Sequence, residues 1–154
     1  MADSSKGQQY TGTAGDMAVD GLLAGGAGGV IMAAYLVVSG LIGGPRPIET
    51  LGLFDASGTA SAAVGLITHL AVSGVYGALF GLGWGMVSRL RMQIPAWLGG
   101  VVYSLMLLTV ALAMMLPAAA SPLLTISPVH FAIAHGLYGL TLGLVVGRRH
   151  NSDR

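Results

Sequence analysis

Of 154 residues only 8% are charged and 54% are hydrophobic, and the mean hydropathy of +0.77 lies well outside the range of soluble domains, where about a quarter of residues carry charge. A formal net charge of +1 with no Lys/Arg stripe gives nucleic acid nothing to bind. The absence of cysteine excludes disulfides, thiolate metal sites, thiol nucleophiles and covalently attached c-type haem.

The first residues, 1–17, form a polar tail that opens "MADSSKGQQYTGTAGD". They lack the positive stretch and cleavage site of a secretory signal, so the first hydrophobic segment is expected to remain as an anchor. Four apolar segments follow, at about 18–42, 60–87, 95–116 and 128–147. Each is long enough for a hydrocarbon layer of roughly 30 Å. Lipid leaves backbone groups without water, and four segments are too few to close a barrel, so all four are expected to be helices. The fold class is all-α: an integral membrane four-helix bundle.

Segment one carries Gly21, Gly25 and Gly29 on a four-residue row, with Asp16 and Asp20 at its start, where the positive end of the helix dipole favours carboxylates. The loop "GGPRPIETLGLFDASGTAS" is expected to hold a short interfacial helix around Ile48 to Phe54. Segment two contains His69, Tyr76 and the row Gly77, Gly81, Gly85. Pro95 and Pro128 suit first turns, and Pro117 suits a stop. Segment four contains His130, His135, Tyr138 and the row Gly139, Gly143, Gly147, and a basic tail occupies 148–154. Lys6, Arg89, Arg91, Arg148, Arg149 and Arg154 all fall on one side and only Arg46 on the other, which places both termini in the cytoplasm and the chain in the inner membrane.

The second and fourth segments repeat each other. "GVYGALFGLGWG" from Gly74 matches "GLYGLTLGLVVG" from Gly136 at six of twelve positions, with an offset of sixty-two. A weaker echo links "AGGAGGVIM" at 24–32 with "LGGVVYSLM" at 98–106, with an offset of seventy-four. The expectation is a duplicated hairpin whose glycine rows are helix-packing seams, since small residues let helices approach where lipid removes the hydrophobic drive. Tyr76 and Tyr138 are then expected to send their hydroxyls to neighbouring helices.

His69 and His135 stand on the glycine rows and are expected to face the interior, with His130 pointing elsewhere. Buried imidazoles at His69 and His135, with His130 as a further candidate, are the positions that could hold haem, chlorin or quinone. Under the offset of sixty-two, however, His69 aligns with Phe131, which sets the two rings about one turn apart. No carboxylate or cysteine accompanies them, so a zinc site is not expected, and no nucleophile–base arrangement or phosphate loop is present.

"AGGAGGVIM", "THLAVSGVYGALFG", "MMLP" and "HFAIAHGLYGLTLG" together resemble a group of small uncharacterised four-helix inner-membrane proteins of bacteria and archaea, over about residues 20–147. The resemblance implies fold and membrane location, and it carries no functional residue. The functional expectation is a non-catalytic accessory subunit without a cofactor, surrounded by the lipid bilayer and packed against other integral membrane subunits of an electron-transfer or other energy-transducing complex. The alternatives are the cofactor protein just described and a small-solute transporter or channel acting as an oligomer.

Overall fold

The computed structural model describes residues 13–43, 46–89 and 94–152, and among them the chain is all-helical with no strand. Most of the N-terminal tail, with Lys6, together with Arg91 and Arg154, lies outside the described residues. The elements are α1 (Ala14–Gly43), α2 (Pro47–Gly52), α3 (Ala62–Arg89), α4 (Ala96–Val110), a π turn (Ala111–Met115), α5 (Leu116–Ala118), a 3-10 turn (Pro122–Thr125) and α6 (Pro128–Ser152). Four helices are long and apolar enough to cross a membrane: α1, α3, α6, and α4 continued through α5. The chain is a membrane protein.

Local chemistry sets the helix ends. The α1 start is a capping box: the Thr13 amide and hydroxyl both donate to Asp16 Oδ2 at 2.8 Å, and the Asp16 amide donates back to Thr13 Oγ1 at 3.2 Å. Asp16 is thus a cap. Asp20, also expected at the helix start, instead pairs with Arg149 and ties the beginning of α1 to the end of α6. At α2, Pro47 occupies the first turn and the Arg46 amide donates to Glu49 Oε2 at 2.8 Å. Ser61 caps α3, with the Val64 amide on its hydroxyl at 3.4 Å.

Pro117 does not act as the expected stop. A proline lacks the N–H that an α turn needs, and its ring crowds the carbonyl four residues back. Here the preceding turn widens to π geometry, with the Leu116 amide on the Ala111 carbonyl, and one more α turn follows. That turn closes three residues later: the Ser121 amide bonds the Leu116 carbonyl at 3.0 Å and the Ala120 amide bonds the Pro117 carbonyl at 3.1 Å, with Ala120 at φ +46°.

In the bundle α1 lies against both α3 and α6, and α4 lies against α6. The most deeply buried residues are Ala24, Leu36, Ser104, Ala134 and Leu142, on α1, α4 and α6. The short α2 folds back over the ends of α1 and α3, so the loop expected at the interface is partly built into the bundle: Thr50, Phe54 and Asp55 are all buried, while Ile48 points outward.

Candidate functional site

The glycine rows bring backbones together in two places. A methyl group at Gly21 would run into the Gly77 carbonyl and the Gly81 Cα, and one at Gly25 would meet the Ser73 carbonyl and the Gly77 Cα. Gly81 faces the Met17 carbonyl, Gly85 the Met17 side chain and Gly29 the Ser73 side chain. Between α4 and α6 the same arrangement recurs: Gly100 meets the Gly139 carbonyl and the Gly143 Cα, Gly139 meets Ser104 Cβ, Gly143 meets the Ala96 carbonyl and Gly147 meets the Ala96 methyl. The space these glycines leave is therefore filled by the neighbouring helix, and a tetrapyrrole plane would have to part α1 from α3 or α4 from α6 to use it.

These contacts match Gly21 with Gly100 and Gly25 with Ser104, an offset of seventy-nine. The echo at seventy-four would have matched Gly25 with Gly99, yet Gly99 faces the Trp84 ring of α3 instead. Small size at the contact, rather than likeness of letters, fixes the register.

Between the seams, buried side chains tie helices by hydrogen bonds to main-chain carbonyls. His69 Nε2 on α3 donates to the Gly29 carbonyl of α1 at 2.9 Å. The Tyr138 hydroxyl on α6 donates to the Ser73 carbonyl of α3 at 2.8 Å, and its ring lies in the space beside Gly28. The Ser104 hydroxyl on α4 donates to the His135 carbonyl of α6 at 2.5 Å, and the Tyr103 hydroxyl donates to the Tyr76 carbonyl of α3 at 2.9 Å. The Tyr76 hydroxyl reaches Met115 Sδ in the π turn at 3.8 Å. Among the described residues no fully sealed side-chain nitrogen or oxygen lacks a partner.

His69 and His135 are both buried, at 8% exposure, whereas His130 is exposed and pairs with the Tyr35 hydroxyl at 2.9 Å. A carbonyl can only accept, so the nitrogen bonded to it must carry the proton. His69 accordingly holds its proton on Nε2 and, in the neutral ring, leaves a lone pair on Nδ1. His135 donates from Nδ1 to the Phe131 carbonyl at 2.9 Å and leaves its lone pair on Nε2. Phe54 lies against His69 with ring centroids 4.5 Å apart, and Phe131 meets His135 edge-on at 4.7 Å. Among the described residues no three His, Asp or Glu side chains gather as a metal-holding group.

Sequence reasoning named both buried histidines and the nine row glycines. It missed Gly28, Gly100 and Ser104, whose signal was a small residue on α1 or α4 at the level of a row glycine or Tyr138. It also missed Phe54, for which the sequence carried no signal at all.

The chain belongs to the Family of unknown function (DUF6789), which matches residues 16–154. No curated protein and no solved structure matches the chain.

Proposed function

We propose that the protein is a non-catalytic transmembrane packing subunit of a larger membrane complex, seated in the inner membrane with both termini in the cytoplasm. The observation that carries this reading is that four polar side chains inside the bundle join helices: Tyr138 to α3, Ser104 to α6, Tyr103 to α3 and His69 to α1. The span from Ala96 to Ala118 has only 11% of its apolar window buried within the chain, against 33% to 44% for the other three, which favours it as the face offered to further helices. Arg148, Arg149 and the start of α1 share one end of the bundle through the Asp20–Arg149 pair, in keeping with the cytoplasmic assignment. The matched seams, Gly21 with Gly77 and Gly81, then Gly100 with Gly139 and Gly143, support descent from a duplicated hairpin.

Purification of a tagged chain from its native membrane at low detergent tests the reading. Stoichiometric larger subunits in the eluate are expected; a lone monomer would overturn it.

A second reading has one observation of its own. His69 and His135 each have one nitrogen held by a main-chain carbonyl, the orienting bond that ligating imidazoles usually have. An absorption spectrum of the purified protein tests it: a Soret or chlorin band lost on His69→Ala or His135→Ala supports a bound cofactor, and a colourless sample removes the tetrapyrrole.

A further inference from the structure

His69 is buried to more than nine-tenths, yet its Nδ1 has no hydrogen-bond partner among the described residues. Because no partnerless side-chain nitrogen is fully sealed, Nδ1 borders a small opening. Against the imidazole lies the ring of Phe54, carried on the chain that leaves α2. That chain meets the helices through glycines, Gly65 receiving the Leu51 carbonyl and Gly40 the Thr50 hydroxyl, while Gly52 receives the Ala60 carbonyl within the loop itself. Its return to α3 passes through Gly58 at φ +79° and Ala60 at φ +54°, and it is held by one carboxylate. Asp55 accepts from the Ser57 amide and hydroxyl at 2.8 and 2.6 Å, the Thr59 hydroxyl at 2.7 Å and the Ser61 amide at 2.9 Å.

We propose that α2 and Phe54 form a removable lid over His69, beneath which the Nδ1 lone pair is a binding position for a proton delivered from the water at that end of the bundle. A hydronium ion would give its proton to Nδ1 and leave as water, while Nε2–H stays on the Gly29 carbonyl. The imidazolium would rest against the Phe54 ring, whose π face attracts a cation. A metal ion is the poorer occupant, since one neutral lone pair is offered and among the described residues no three His, Asp or Glu side chains gather.

The titratable groups on the packed elements are few. Asp55 and Glu49 belong to the lid and are engaged with Ser57, Thr59, Ser61 and Arg46. His135 and Tyr138 lie on α6 and Tyr103 on α4, and Tyr35 of α1 is paired with His130 of α6. The proposal is independent of the packing role and survives its failure.

Diethyl pyrocarbonate attacks an unprotonated imidazole lone pair, so residue-resolved mass spectrometry of the labelled full chain in lipid nanodiscs reads the lid directly. In the wild-type protein His69 is expected to react far more slowly than exposed His130. Phe54→Ala, or Gly65→Ala acting by displacing the Leu51 carbonyl, is expected to accelerate His69 by about tenfold or more with His135 unchanged. Nitrogen NMR of the opened variant is expected to record protonation of Nδ1 on acidification. The proposal is overturned by wild-type His69 reacting as fast as His130, by no acceleration in either variant, or by Nδ1 staying unprotonated to pH about 4. Equal acceleration at His69 and His135 would mean that the bundle itself had opened, and would also count against a lid.

Discussion

The α1–α3 and α3–α4 interfaces use opposite means to join helices in the same lipid. Along α1–α3, Gly21, Gly25, Gly77 and Gly81 bring main chain onto main chain. Across α3–α4 the helices stand farther apart, and the gap is filled by Phe80, Trp84 and Tyr103, with Phe80 5.3 Å from Tyr103 and 5.8 Å from Trp84. Where backbone meets backbone there is no side chain to rearrange; where rings meet rings, each can turn or be replaced. The first kind of contact should be brittle and the second tolerant.

The largest expected effect breaks the brittle side. Gly77→Val puts branched carbon against the Gly21 carbonyl and the Gly25 Cα, and should cost at least about 3 kcal/mol in reversible unfolding by steric trapping in bicelles. Phe80→Ala should cost less, about 2 kcal/mol in the same assay, because lipid and the neighbouring rings can move into the space. A loss equal to or greater than that of Gly77→Val would erase the contrast. Removing single ties should matter less again: Ser104→Ala and Tyr138→Phe are each expected to lose about 1 kcal/mol. Gly26, Gly83 and Gly136 have nothing within 4 Å of an added Cβ, so alanine there should gain up to about 0.5 kcal/mol, a sign opposite to that of any seam glycine.

The smallest effect is local. The Ser57 and Thr59 hydroxyls and the Ser61 amide hold the Asp55 carboxyl well below the usual carboxylate range. A depressed folded-state value means stability that is complete above the ordinary pKa, about 3.9, and lost as pH falls toward the folded value. Amide-exchange protection at Ser57 and Ser61 should therefore fall as pH drops below about 4, and in Asp55→Asn it should be weaker at every pH.

Much of this architecture was legible in the letters, because a bilayer reduces the problem to hydropathy and spacing. Ile67, Val72 and Val75 point outward and Gly77 and Gly81 inward on the same helix, and the four-residue glycine period alone separates those faces. Tyr138 was readable for a similar reason: a buried hydroxyl in lipid must find an acceptor, and the nearest are main-chain carbonyls. The α3–α4 interface was not readable: Tyr76, Phe80 and Trp84 do recur every four residues, but a lipid-facing ring looks the same in sequence as a gap-filling one. The place of Phe54 over His69 depends on how a loop of nearly twenty residues folds back, which no spacing records. Letter matching also misled at Gly99 and Gly100, adjacent glycines that serve different neighbours.

The π turn at Ala111–Met115 amounts to one residue more than an α-helix needs between the seam and Pro117. Removing a residue there would leave Gly100 and Ser104, which lie earlier in the helix, undisturbed, but would set Pro117 in an ordinary α turn with its ring against the carbonyl four residues back. The extra residue therefore lets the span carry Pro117 while the α4–α6 seam keeps its register. The same deletion between Pro95 and Gly100 would slide Ala96 and Trp97 out of line with Gly143 while Gly100 stayed on the Gly139 carbonyl.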